Sequence, residues 1–133
     1  MDTPAYKSWS GYSFEQVCLY HVSQIKKALG IGMVYTEISS LRISGTSKKE
    51  GFQIDLIIDR KDESINLCEI KFYNKGFTIT EDYAKQLRNK RGTFQDISKT
   101  KKLIFLTMIT TFGLKENEHS LGIDNSLTMD VLF

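Results

Sequence analysis

Three ionisable residues, Asp55, Glu69 and Lys71, lie inside two apolar runs of the sequence, at residues 51–59 and 64–72. Both runs are hydrophobic enough to form central β-strands. A charged side chain is tolerated in a buried sheet only when it is paired or bound to a metal ion. The positions of the three residues therefore indicate either a structural ion pair involving Lys71 or a site that carries out chemistry.

The alternation of side chains along a strand places the two carboxylates on facing positions. One face of the first run carries Gln53, Asp55 and Ile57. The other face is predicted to carry Phe52, Ile54, Leu56 and Ile58. A short antiparallel connection then sets Asp55 opposite Glu69 and Gln53 opposite Lys71, with facing Cβ atoms about 5 Å apart. The register thus predicts that two carboxylates converge.

Converging carboxylates favour a divalent cation, because coordination turns their repulsion into attraction. Magnesium is the expected ion, since it takes one or two carboxylates together with waters and phosphate oxygens, and Mn²⁺ is its substitute. The chain has no cluster of Cys and His residues with zinc spacing. Lys71 can hold an attacking water or stabilise charge on a phosphoryl oxygen. This combination predicts a site for cleaving phosphodiesters.

The same residues resemble the PD-(D/E)XK nuclease superfamily, written here as Gln53-Ile54-Asp55 followed by Glu69-Ile70-Lys71. Ile54 stands where the superfamily name has Pro. The wider sequence is similar to the C-terminal domain of a family of prokaryotic AAA-type ATPases. The segments that carry this second resemblance are residues 9–15, 21, 24–31, 53–60 and 65–72, so that it covers nearly the whole chain.

The resemblance implies a metal-dependent nuclease domain with DNA as the expected substrate. It implies that Asp55, Glu69 and the Ile70 carbonyl hold the ion, that Glu15 of the first helix adds an acidic group, and that Lys71 positions the water. Glu15 would also suit the start of a helix without any catalytic role. Gln53 could orient Lys71 or a phosphate, or it could satisfy backbone groups.

Two other functions remain open from the sequence. The domain could be a catalytically idle module that binds nucleic acid or docks a partner for an ATPase domain or subunit. It could also be a homo-oligomeric structural module, for which an exposed apolar patch at Phe112, Leu114 and residues 131–133 would be the sign.

Composition predicts a single domain, because 133 residues with 41% hydrophobic content can bury one core. The sequence lacks the G-x-x-x-x-G-K-[ST] motif, which excludes ATP hydrolysis by a P-loop. The net charge of +2 neither requires nor excludes a nucleic-acid partner. Basic residues that could neutralise phosphates, or simply form a solvated face, are Lys48, Lys49, Lys85, Arg88, Lys90, Arg91, Lys99, Lys101 and Lys102.

The cysteines and the apolar segments predict a cytoplasmic location. Cys18 and Cys68 lie in apolar runs without a C-x-x-C motif, which is typical of reduced, packed thiols. The sequence shows neither a signal peptide nor an apolar segment of about 18 residues, so we expect no membrane partner.

The predicted fold class is α/β, with the order α-β-β-β-α-β-β. This order agrees with a mixed central sheet flanked by helices, the restriction-endonuclease-like core that the resemblance implies. We expect residues 1–12 to form an irregular lead and Ser13 to cap a first helix that ends at Gly30 and Gly32. His21 is predicted to be a packing histidine. Strands are predicted over residues 33–38, 51–59, 64–72, 103–109 and 127–133.

A second helix is predicted to begin after Thr80, because Glu81 and Asp82 suit its positive end. Its inward face should carry Tyr83, Leu87 and Phe94, and Gly92 is expected to bend it.

Overall fold

The protein forms one mixed β-sheet with helices on both faces. The computed structural model describes residues 4–48 and 50–133, with residues 4–8 described by their backbone alone. The elements, in chain order, are α1 (Pro4–Tyr20), α2 (Val22–Ala28), β1 (Thr36–Ile43), β2 (Phe52–Arg60), β3 (Ser64–Lys71), α3 (Glu81–Ser98), β4 (Leu103–Thr110) and β5 (Asn125–Thr128). Short 3₁₀ turns lie before β5 at Ser120–Gly122 and after it at Met129–Leu132.

The strands lie in the sheet in the same order as in the sequence, β1-β2-β3-β4-β5. The first three strands pair antiparallel, whereas β3, β4 and β5 pair parallel. The parallel β3–β4 connection contains α3, as a crossover between parallel strands requires. The predicted class, a mixed central sheet flanked by helices, is confirmed.

Each face of the sheet carries its own apolar cluster. The cluster on the α1 and α2 face contains Phe14, Cys18, Ile25, Ile31, Leu56, Ile58, Cys68, Ile70, Ile109 and Leu132. The cluster on the α3 face contains Ile54, Ile57, Ile65, Leu67, Leu87, Phe94, Leu106 and Met108. Because both faces are covered, β3 is buried from Ser64 to Ile70, and a charge within it lies in the interior.

The N-terminal lead is helical from Pro4 onward, so the prediction of an irregular segment over residues 1–12 is wrong for the part that the structure describes. Proline suits a first helical position, since its fixed φ matches the helix and its missing N–H needs no partner there. Ser13 consequently lies inside α1 and caps nothing. Residues 1–3 lie outside the described residues.

The predicted first helix is two helices with a break at His21. The Nδ1 of His21 donates a hydrogen bond to the Val17 carbonyl at 2.7 Å, which satisfies an acceptor at the end of α1. Helix α2 ends in a Schellman arrangement, because Gly30 has a φ of +77° and its N–H donates to Lys27 while the Ile31 N–H donates to Lys26.

Two strand predictions are wrong in their bounds. The first strand is Thr36–Ile43 rather than residues 33–38, because turns extend past Gly32 after α2. The last strand is Asn125–Thr128, and the chain then turns into Met129–Leu132 instead of continuing as a strand. A side-chain hydrogen bond between Thr128 and Asp130 favours this turn.

Helix α3 agrees with its predicted capping. The Thr80 hydroxyl accepts a hydrogen bond from the Tyr83 N–H at 3.1 Å, and Glu81 and Asp82 occupy the first turn. Leu87 and Phe94 are buried as predicted. Gly92 lies inside α3, which is continuous from Glu81 to Ser98.

Both Cys18 and Cys68 are free and buried, and burial raises the pKa of each thiol. Among residues 4–48 and 50–133 we find no helix with the length and apolar character needed to span a bilayer.

Candidate functional site

The candidate residues lie where the backbone pairing between β2 and β3 ends. The last pair between these strands is Leu56 with Cys68. Beyond that point β2 stays paired with β1 as far as Phe52, while β3 stays paired with β4 as far as Lys71. We call residues 52–55 and 69–71 the fork. All the predicted site residues except Glu15 lie on its two arms.

One arm of the fork contains a β-bulge. Ser39 pairs with Ile57 and Leu41 pairs with Ile54, so that Asp55 and Leu56 together oppose the single residue Ser40. A bulge re-aims side chains and is common beside active sites. It also reverses the alternation of β2, because Ile54 packs with Ile57 on the α3 face. The predicted grouping of Ile54 with Leu56 and Ile58 is therefore wrong.

Asp55 bridges the two arms through its side chain. One oxygen, Oδ2, accepts a hydrogen bond from the Ile70 N–H at 2.9 Å, in place of a backbone carbonyl. The other, Oδ1, accepts a hydrogen bond from the Gln53 amide at 2.9 Å. Gln53 therefore orients Asp55 rather than Lys71.

Glu69 points to the same place as Asp55 and is almost fully buried, with 5% of its surface exposed. Burial is the main cause that raises the pKa of Glu69 to about 7. Its contact with Lys90 opposes the rise, whereas the charge of Asp55 and a hydrogen bond between the two carboxyl groups add to it. The structure thus brings the two carboxyls together.

Lys90 of α3 is the site residue that the sequence analysis missed. Its Nζ donates a hydrogen bond to Oε1 of Glu69 at 2.7 Å. In the sequence, Lys90 is one of several basic residues in this stretch. Lys90 comes three residues after Leu87 and four residues before Phe94, which places it at the border of the apolar face of α3. This spacing is the signal that could have identified it.

Lys71 is near the site but makes no ion pair within 4 Å with an acidic residue that the structure describes. Its Nζ lies 5.5 Å from the centre of the Tyr83 ring, over the face of that ring. The alternative in which Lys71 pairs with Glu69 or Asp55 is therefore not the arrangement found, because Lys90 holds Glu69.

Glu15 lies on α1 and lines a groove that also contains Asp55. Burial and the charge of Asp55 raise the pKa of Glu15, while Arg42 and Lys71 oppose the rise. Glu15 therefore interacts electrostatically with the charged residues of the fork from the α1 side.

The residues present suit a magnesium ion through two carboxylates rather than three. In the described part of the chain, no three His, Cys, Asp or Glu side chains form a group that could hold a metal ion. Glu15 is therefore not preassembled with Asp55 and Glu69 as a third ligand. Asp55 and Glu69 together meet the one or two carboxylates that Mg²⁺ takes, with waters completing its shell. Ile70, whose carbonyl is the predicted further ligand, lies between the two charged residues of its arm.

The remaining basic residues do not gather at the fork. Lys102 donates to Asp59 at 2.6 Å and to the Arg60 carbonyl at 2.9 Å. Arg88 and Arg91 line a small cavity with His119. Solvent-exposed positions hold Lys48, Lys85, Lys99 and Lys101, and Lys49 lies outside the described residues. Of the basic residues in this set that the structure describes, Lys90 is the one that lines a groove at the fork.

Two open grooves meet at the fork. The first, of about 480 Å³, lies between α1 and β1 and contains Tyr12, Glu15, Arg42, Gln53 and Asp55. The second, of about 460 Å³, lies beside α3 and is lined by Glu50, Gly51, Phe52, Gln53, Gln86, Asn89, Lys90 and Thr93. Gln53 lines both grooves, so the fork is reachable from both faces of the sheet.

Comparison with known proteins supports the fold alone. No family model matches the chain, and no curated protein matches it. A crystal structure of a protein of unknown function, AF1548, is similar over 86% of this chain, with a TM-score of 0.53 and 15% sequence identity. The matched region spans 64% of that protein's chain.

Proposed function

We propose that this domain hydrolyses phosphodiester bonds in nucleic acid, with DNA as the expected substrate, in a reaction that depends on Mg²⁺ or Mn²⁺. The observation that carries the proposal is the contact between Asp55 and the buried Glu69 at an open fork. Two carboxyls placed together, one of them buried, weaken the fold, and such perturbed groups cluster at functional sites. The Gln53-Ile-Asp55 and Glu69-Ile-Lys71 motifs point the same way.

The proposed roles follow from the positions of the side chains. Asp55 and Glu69, with the Ile70 carbonyl, would hold the divalent cation, which supplies charge stabilisation at a phosphoryl oxygen when it is bound. Lys71 is free of a carboxylate partner in the described chain and can donate a hydrogen bond to the attacking water. Gln53 keeps the Asp55 carboxylate fixed across the fork. Glu15 adds negative charge from the α1 side.

A cleavage assay on labelled single- and double-stranded DNA, with Mg²⁺ or Mn²⁺, tests this proposal. The informative variants are Asp55→Asn and Lys71→Met. Asn is preferable to Ala at Asp55, because its amide oxygen can still accept the Ile70 N–H and the fork stays intact. Lys85→Met is the matched control, since Lys85 is an exposed lysine that lines neither groove.

Metal-dependent cutting that is lost in Asp55→Asn and Lys71→Met but kept in Lys85→Met would support the proposal. Absence of cutting by the wild-type protein, with calorimetry showing no uptake of Mg²⁺ or Mn²⁺, would contradict it.

A second candidate is a non-hydrolytic module that docks a partner such as an ATPase domain or subunit. It is favoured by the exposed side chains of Met33, Tyr35 and Ile38, which lie on or just before the edge strand β1. Of the patch predicted near the C-terminus, Phe112 and Phe133 are exposed. Leu114 and Val131 instead pack against the two cores.

Light scattering and nucleic-acid titration at several salt concentrations separate the two candidates. Phosphate contacts give a steep salt dependence, whereas docking or self-association of protein surfaces need not. A cytoplasmic location is part of the proposal and is supported by the two free, buried thiols.

A further inference from the structure

The groove between α1 and β1 is open to solvent and ends at the fork. Its lining includes Gln53 and Asp55 of the fork, Leu19 on α1 and Ile38 on β1. A cavity of about 480 Å³ matches a ligand of drug-like size, which a single nucleotide is. An intact duplex, with its bases paired and stacked inside, offers no such isolated unit.

An aromatic ring stands in this groove without being part of either core. Tyr12 lines the groove and keeps 65% of its surface exposed. Trp9, one turn earlier on the same side of α1, is 66% exposed. Exposed aromatic rings beside a backbone-binding groove are the platforms on which single-stranded nucleic acids stack their bases. The two rings contribute little to the packing of the protein and are available to stack on unpaired bases.

A guanidinium group faces the same groove from the opposite wall. Arg42 lies on β1, is exposed, and makes no ion pair within 4 Å with an acidic residue in the described ranges. Its charge acts on Glu15, which lines the groove beside it. An arginine with free donors can bind a phosphate through two parallel hydrogen bonds.

We infer that this groove binds an unpaired nucleotide of a single-stranded nucleic acid. Tyr12 stacks on the base, and Arg42 contacts a phosphate of the same strand. The strand then runs past Gln53, so that its next phosphate approaches Asp55. The last point rests on the proposed nuclease function, whereas binding in the groove does not.

Binding is measured by fluorescence anisotropy of a labelled oligothymidylate, the matching oligouridylate and a duplex of the same length, all in EDTA. The test variants are Tyr12→Ala, Tyr12→Phe and Arg42→Gln. Tyr20→Ala is the matched control, because Tyr20 lies on the same helix, is 83% exposed and is absent from the groove lining. Using EDTA keeps the test independent of cleavage.

We expect the wild-type protein to prefer the single strands to the duplex. Tyr12→Ala should weaken single-strand binding about tenfold or more, while Tyr12→Phe and Tyr20→Ala bind like the wild type. Arg42→Gln should lower the slope of the logarithm of affinity against the logarithm of salt concentration by about 0.7. The affinities for the oligouridylate and the oligothymidylate show whether the groove binds RNA or DNA more tightly.

Equal binding by Tyr12→Ala and Tyr20→Ala, or duplex binding as tight as single-strand binding, would overturn the inference. The same holds if the wild-type protein binds neither single strand. Single-strand binding that depends on Tyr12, without any metal-dependent cutting, would uphold the inference and contradict the nuclease proposal. Metal-dependent cutting, together with single-strand binding that does not depend on Tyr12, would uphold the nuclease proposal and overturn the inference.

Discussion

The ammonium nitrogen of Lys90 lies 2.7 Å from Oε1 of Glu69 and ties α3 to the middle of the sheet. The carboxylate side of this pair is buried, while Lys90 is partly open to the groove beside α3. Lys90 thus supplies positive charge at the point where the proposed function would place a divalent cation. Its contribution to stability should therefore depend on pH, and it should compete with metal binding.

Replacing Lys90 with Met is expected to destabilise the fold by about 1.4 kcal/mol at pH 8, because Glu69 must then take up a proton instead of remaining a buried carboxylate without its partner. At pH 5 the cost should be much smaller, since Glu69 is then protonated and needs no counter-charge. Urea unfolding at the two pH values measures the difference. A Lys90→Met/Glu69→Gln double variant should recover most of the loss at pH 8, and equal losses at both pH values would contradict the explanation.

The wild-type protein should lose stability as the pH rises from about 4.5 to about 7. The pKa of Glu69 is raised from 4.5 to about 7 in the fold, so the folded state holds a proton that the unfolded state has released over this range. The stabilisation is complete below the unfolded pKa and is lost as the pH passes the folded one, at up to about 1.4 kcal/mol per pH unit.

Chemical unfolding of the wild-type protein and Glu69→Gln at intervals between pH 4.5 and 7.5 checks this slope. Glu69→Gln should have a flatter profile, because a glutamine does not titrate. If the two profiles are parallel, another group is responsible for the pH dependence.

Metal affinity should rise when Lys90 is removed, because a divalent cation no longer competes with an ammonium group for Glu69. We expect Lys90→Met to bind Mg²⁺ about tenfold more tightly than the wild type by calorimetry near pH 9, where Glu69 can ionise although the loss of Lys90 raises its pKa further. Affinity should also fall below pH 7, by up to about tenfold per pH unit, since Glu69 must release its proton before it can bind. Lys85→Met serves again as the exposed control, and weaker binding by Lys90→Met would argue against competition.

Two glycines give opposite predictions for replacement by alanine. A Cβ at Gly51 would lie 2.6 Å from both the Gly45 nitrogen and the Ile43 carbonyl oxygen, so Gly51→Ala should cost about 1–3 kcal/mol. Gly92 lies within α3 with no other atom within 4 Å of a Cβ, and Gly92→Ala should stabilise by about 0.5–1 kcal/mol. Thermal unfolding of both variants checks the contrast. A neutral Gly51→Ala would mean that the β1–β2 connection can move aside.

The sequence was sufficient to predict the central strands and α3, because their signals are local. The long apolar runs of β3 and β4 and the Thr80 cap of α3 each depend on neighbouring residues alone. The start of α1 was missed, since its first residues have little apolar periodicity and the residues of α1 in the core, Phe14 and Cys18, come later in the helix.

At the site, the register of β2 and β3 could be predicted from the sequence, whereas the lysine that pairs with Glu69 could not. The step from Leu56–Cys68 to Asp55–Glu69 follows from strand pairing, so the meeting of the carboxylates could be anticipated. Which lysine would hold Glu69 depends on how α3 crosses the sheet. The position of Lys90 at the border of the apolar face of α3 indicates that it lies near the sheet but does not determine its partner.

Because of the bulge in β2, the site depends on the number of residues in this strand as well as on their types. Between Ile54 and Ile57 the strand has one residue more than its partner β1, and this extra residue decides which side of the sheet the N-terminal arm presents. Deleting one residue there would move each side chain of the N-terminal arm to the other face of the sheet. Gln53 would then point toward the α3 core and Ile54 toward the opposite face. A shortened chain could therefore keep every charged residue of the fork and still lose the arrangement that brings them together.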